Sequence, residues 1–130
     1  MRVNGGYAVG AIGYVAGISL LSALPQEWGG GFGVAVLNST PVLTALHVLL
    51  FAGLVSCVIL CLTDGQWERK LQWPVYLLIG AAAGLFAAFH EWHASAATDA
   101  DTALLQFGLN CTGIVTLLLV HGAVRRGGTR

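Results

Sequence analysis

The sequence predicts an all-α integral membrane protein: a single transmembrane domain over residues 1–130, built as a four-helix bundle with both termini in the cytoplasm (N-in/C-in). Three observations carry this expectation. Of the 130 residues, 56% are hydrophobic and only 9% charged, which leaves a soluble domain too few polar groups to cover its surface. Four apolar stretches, at about 7–24, 41–62, 73–89 and 102–124, contain no Lys or Arg, and each approaches the roughly 20 residues that cross about 30 Å of hydrocarbon. All six basic residues, Arg2, Arg69, Lys70, Arg125, Arg126 and Arg130, lie on one side of that topology.

Backbone groups in hydrocarbon must bond within their own segment, so these stretches read as helices, and the missing apolar-polar alternation excludes a β-barrel. The first helix, Tyr7 to Leu24, carries Gly10, Gly13 and Gly17 and ends at Pro25, before the Gly29-Gly30-Gly31 run. Its Ser22-Ala23-Leu24 end only loosely resembles a signal cleavage site, and the helix is read as a retained span. The second, Pro41 to Leu62, stops at the polar Asp64–Lys70 segment. The third, Trp73 to Phe89, holds the Gly80-x-x-x-Gly84 spacing that permits close helix approach. The His90–Asp101 segment then reads as a connection, and Thr102 to Val124, with Gly108 and Gly113, forms the fourth. Short connections make neighbours antiparallel.

The positive-inside rule places the termini and the Asp64–Lys70 loop in the cytoplasm. The other two connections hold Glu27, Glu91, Asp99 and Asp101 without a basic residue and face outward. Trp28, Trp67, Trp73 and Trp92 fall at the expected helix ends, where an indole is half wet and half in lipid. Zero formal net charge and a pI near 6.9 supply no basic surface, so no nucleic acid partner is expected. The membrane is read as the bacterial inner membrane.

The chemistry candidates are His47, Glu91 and Asn110. Counting about 1.5 Å per residue from the outer helix ends, His47 lies roughly 9 Å below Pro41 and Asn110 roughly 12 Å below Thr102. An ionisable residue at such depth faces the bundle interior and finds a partner. A functional reading makes the three a polar cluster at the outer leaflet that recognises a lipid headgroup. A plainer reading makes them helix-to-helix hydrogen bonds. His90 and His93, beside Glu91, are weak metal-ligand candidates, because they stand at i and i+3 and no H-E-x-x-H is present; no metal is expected. His47 with a second histidine such as His90 has the residue types for a haem or pigment ligand pair, but no spacing supports a pocket and no cofactor is expected. His121 reads as a dipole partner or a snorkelling group near the cytoplasmic end of the last helix. Cys57, Cys61 and Cys111 fall inside helices and read as free thiols.

Four segments in chain order resemble the VanZ-like membrane proteins. Leu21-Ser22-Ala23-Leu24-Pro25 is similar to that family's Ser-Ser-x-Pro turn, and His47 followed by Phe51 to its second-helix histidine with a nearby Phe. His90-Glu91-Trp92-His93 resembles its D-E-L-H-Q stretch, and Asn110-Cys111-Thr112-Gly113 its N-x-x-G signature. The chain departs from the pattern in carrying Leu43, Thr44 and Ala45 before the histidine and Ala94 in place of the Gln. The resemblance implies a cell-envelope protein of a family linked to low-level resistance to glycopeptide antibiotics such as teicoplanin. Under that reading the partner is a membrane lipid or lipid-linked glycan, with Glu91 as hydrogen-bond acceptor or base and His47 as its proton partner. The competing class is a non-catalytic accessory subunit of a larger membrane protein complex, for which the Gly-rich helix faces are suited.

Overall fold

A computed structural model describes residues 3–23, 40–69, 71–94 and 100–127. Four helices fill these segments: α1 (Gly5–Ala23), α2 (Thr40–Leu62), α3 (Trp73–Ala94) and α4 (Ala100–Gly127). The Pro25-to-Thr40 connection with Glu27 and Trp28, together with Lys70, Asp99, Arg2 and Arg130, lies outside the described residues, apart from Thr40 at the start of α2.

Each helix end has a local cause. Asn4 caps α1, its Oδ1 accepting the Gly6 N–H at 3.1 Å, and its own N–H donates to the Cys61 carbonyl at 3.1 Å, tying the start of α1 to the end of α2. Pro41 and Pro74 stand in the first turns of α2 and α3, where no intrahelical donor is lost. α2 closes as Gly65 N–H reaches back to the Leu60 carbonyl at 2.7 Å, with Asp64 at φ 58° and Gly65 at φ 79°. That left-handed pair is the usual way to end a helix, and Asp is among the few residues besides Gly that tolerate it. A Cβ on Gly65 would lie 3.0 Å from the Tyr7 ring.

The third helix runs five residues past the end expected at Phe89, so His90, Glu91, Trp92 and His93 are helical rather than part of a connection. The reason is local: no Gly or Pro follows Phe89 before Ala94, and polarity alone does not stop a helix. Asp101, expected in the same connection, sits in the first turn of α4, where a carboxylate complements the helix dipole.

α1 packs on α2, α2 on α4 and α4 on α3; lighter contacts of α3 with α1 and α2 close the bundle. The chain-adjacent pair α2 and α3 is therefore not the principal contact. The tightest crossing is α2 with α4, where a Cβ on Gly113 would run into the Val48 carbonyl oxygen, and a second is α1 with α2, where a Cβ on Gly53 would lie 2.6 Å from the Tyr14 ring. Gly13, Gly17, Gly84 and Gly108 instead have open space where a Cβ would stand, and of the Gly80-x-x-x-Gly84 pair only Gly80 meets a neighbour, Leu118.

The core follows helical periodicity. Phe51, Val55 and Ile59 on α2, and Ile79, Ala83 and Ala87 on α3, form stripes at four-residue spacing that bury against Ile18 and Ile114. The outward faces are apolar too: Val9 is 70% exposed, Leu85 73% and Leu104 70%. Three helices are long and apolar enough to cross a membrane, over Ala45–Leu62, Trp73–His93 and Ala103–Ala123. The first helix, expected to match them, presents a shorter apolar run, Gly5–Leu20.

Candidate functional site

The two ends of the apolar stripes are polar, and each end gathers side chains from different helices. His47 stands four residues before Phe51 on α2, Glu91 four after Ala87 on α3, and Asn110 four before Ile114 on α4. The periodicity that builds the core thus carries all three inward at one end of the bundle. Glu91 is 4% exposed and Asn110 fully buried.

These three side chains are bonded to one another through Asn110. Its Oδ1 lies 2.8 Å from His47 Nδ1, and its Nδ2 donates to Glu91 Oε1 at 2.7 Å. Because the amide oxygen can only accept, His47 Nδ1–H is the donor, and in that neutral tautomer Nε2 is an acceptor. His47 Nδ1 and Glu91 Oε1 are 3.8 Å apart, so Asn110 bridges two groups that otherwise just fail to touch.

His90 joins from the next position on α3. Its Nδ1 is 3.1 Å from Glu91 Oε1, and its Nε2 is 3.4 Å from the Ile18 carbonyl of α1. Both nitrogens therefore face oxygens. The carbonyl lies within reach of Nε2 and the carboxylate oxygen within reach of Nδ1, and the tautomer decides which of them receives the ring N–H. The Phe51 ring, 6.3 Å from the His90 ring, and Phe86, 6.4 Å from it, form an aromatic wall. The second carboxylate oxygen, Glu91 Oε2, is buried and has no hydrogen-bond partner. A buried acceptor left bare costs about 1–3 kcal/mol, and it is the one such side-chain atom among the described residues.

His93 does not join this cluster. It is exposed and stacks edge-on against Phe89 at 4.7 Å. Among the described residues no three His, Cys, Asp or Glu side chains are placed to hold a metal ion. His47 and His90 approach the same carboxylate oxygen rather than facing each other across a space that would seat a planar macrocycle. The three cysteines are free.

The opposite end holds a second polar cluster, different from the dipole role expected for His121. His121 is 2% exposed. Its Nε2–H donates to the Trp67 carbonyl at 2.7 Å, so Nδ1 of the neutral ring is the acceptor for the Tyr76 hydroxyl at 2.6 Å. The Trp67 ring stands edge-on to the imidazole at 4.7 Å. Both imidazole nitrogens and the Tyr76 hydroxyl are bonded within the protein, which makes it a clamp joining the loop after α2 to α3 and α4. The available signal was spacing: eleven residues from Asn110 to His121 is close to three full turns, putting both on the same face of α4.

Fold and site together define a class: a small helical bundle with apolar outer faces, three helices of membrane-crossing length and a buried polar cluster at each end. Beyond that class no relative stands out: no protein-family model, no curated protein and no solved structure matches the chain.

Proposed function

We propose that the protein spans a bacterial inner membrane with both termini cytoplasmic, and that the end bearing His47, Glu91 and Asn110 recognises the polar headgroup of a membrane lipid or lipid-linked glycan at the outer leaflet. The role is that of a divergent VanZ-like envelope protein. The observation that carries this reading is the bare, buried Oε2 of Glu91 at the end of a bonded His47–Asn110–Glu91–His90 chain. A purely structural hydrogen-bond network has no reason to leave a carboxylate oxygen unsatisfied in a low-dielectric interior, whereas a binding site does. The orientation is supported by chemistry at the other end: Arg69 follows α2, and Arg125 and Arg126 fall in the last turn of α4, beside the Trp67–His121 clamp. Three of the residues that carry the family resemblance, His47, Glu91 and Asn110, are the bonded ones.

The test is native mass spectrometry of the intact protein in mild detergent. The wild-type chain is expected to retain lipid, and His47→Phe, which removes the partly exposed imidazole while preserving a ring, is expected to retain severalfold less at unchanged helicity. Equal retention by the two would sink the headgroup reading. The accessory-subunit reading has its own support in Gly13, Gly17, Gly84 and Gly108, whose open faces give a partner helix room to approach closely. The same spectrum decides it, because a subunit appears as a stoichiometric larger assembly.

A further inference from the structure

We infer that the His47–Glu91 end is an acceptor-only site that takes a hydroxyl group of its ligand and rejects phosphate. This deepens the headgroup reading above, and rests on it, by naming which part of a lipid the protein reads. The argument is an account of hydrogen-bonding valences. Asn110 has both ends of its amide engaged, Oδ1 with His47 and Nδ2 with Glu91. His90 has both ring nitrogens directed at oxygens. His47 uses its one N–H toward Asn110.

Two acceptor valences of these four side chains remain, the orphan Glu91 Oε2 and the Nε2 lone pair of the neutral His47 tautomer. No spare donor is left, and no Lys or Arg lies within the spans that form this end. A ligand that completes the site must donate.

Three headgroup chemistries occur at membrane surfaces, and charge separates them. A phosphate monoester offers oxygens to oxygens and adds negative charge beside a carboxylate, so it is repelled. An ammonium donates well, but it must shed its hydration to reach a carboxylate that is 4% exposed. A neutral hydroxyl donates without either cost. The imidazoles that flank the carboxylate are 13% and 12% exposed where its own side chain is 5% exposed, so a hydroxyl meets the two histidines first. Asn110 is a positioning residue in this scheme: it fixes the His47 tautomer that leaves Nε2 free to accept.

The experiment titrates the intact protein in mild detergent with three lipids of matched acyl chains, read by native mass spectrometry. They are a monoglucosyl diacylglycerol, with hydroxyls and no charge, phosphatidylethanolamine, and phosphatidic acid. The expected result is that the glycolipid binds at least about tenfold more tightly than phosphatidic acid, the effect of a hydrogen bond gained against a repulsion avoided. In Glu91→Gln an NH2 donor replaces the bare oxygen at nearly constant volume, and the ratio is expected to fall toward one as phosphatidic acid becomes tolerated.

Tighter binding of phosphatidic acid or of phosphatidylethanolamine to the wild-type chain overturns the acceptor-only assignment while leaving headgroup recognition standing. A ratio that Glu91→Gln leaves unchanged removes Glu91 from the selection and overturns it as well. Failure to bind any of the three lipids overturns both readings. The wild-type comparison decides the matter by itself should the variant not fold.

Discussion

At the scale of single residues, the bundle sets polar groups in an apolar interior where an unpaired one is expensive, and pairs nearly all of them. Asn110 is the residue on which most depends, since it alone bonds both His47 and Glu91. Replacing it with Leu strands the His47 N–H and leaves Glu91 Oε1 with His90 alone, and is expected to destabilise the protein by about 1–3 kcal/mol. Asn110→Asp should cost more, because it sets a carboxylate against the Glu91 oxygen that now accepts at 2.7 Å. Tyr76→Phe removes one hydroxyl from the His121 clamp and should cost about 1 kcal/mol, in line with interhelical hydrogen bonds in membranes. Unfolding of detergent-solubilised protein by increasing SDS ranks the three, and an Asp variant as stable as wild type would contradict the bonded geometry. The residue types of the first cluster were legible in the sequence because a His, a Glu and an Asn stand out in apolar surroundings. The part played by His90 was not, because it depends on α3 continuing through residues 90–94, and neither was the His121 clamp, whose partners are a loop carbonyl and a tyrosine 45 positions away.

At the scale of helices, four elements and the sense of their antiparallel order could be read from hydropathy, because apolar runs separated by Pro, Gly and charge leave few alternatives. Their ends were less legible. Hydropathy changes at Phe89, but hydrogen bonding continues to Ala94, and only a breaking residue would have marked the stop. Packing order was not legible at all, since it is decided by which small residues meet a neighbour's backbone. Gly53, in a run of Leu, Phe, Ala and Val, lies under Tyr14, while Gly13, Gly17, Gly84 and Gly108 open outward. A paired substitution on α4 separates these roles. Gly113→Ala places a methyl against the Val48 carbonyl, a backbone atom that cannot rotate away, and should destabilise by about 1–3 kcal/mol. Gly108→Ala meets nothing within 4 Å and should be neutral or stabilise by up to about 1 kcal/mol through helix propensity. Equal effects on the SDS midpoint would mean that α2 and α4 do not cross at Gly113.

At the scale of the whole molecule, polarity is arranged inversely to a soluble bundle: Asn110 is fully buried while Leu85 is 73% exposed. In water such faces would associate; in lipid they need no partner, and the driving force for bundling falls to packing and to the interhelical bonds. The two polar clusters on α4 stand eleven residues apart, roughly 16 Å along the axis, at opposite ends of the bundle. Asn4 bonded to Cys61, and Trp67 bonded to His121, gather the start of α1, the end of α2 and the last turns of α4 at the clamp end. All the basic positions that belong to described segments, Arg69, Arg125 and Arg126, also fall there. Under the proposed orientation the helices turn over together, which sets the clamp end in the cytoplasm and the His47–Glu91 end outside. Fusions at the C-terminus check it directly. A cytoplasm-dependent fluorescent reporter should be bright and an export-dependent phosphatase inactive, and a phosphatase placed between α3 and α4 should be active. The reverse pattern would turn the open acceptor site toward the cytoplasm, and with it the search for a ligand from outer-leaflet glycolipids to inner-leaflet ones, while leaving the geometry of the site untouched.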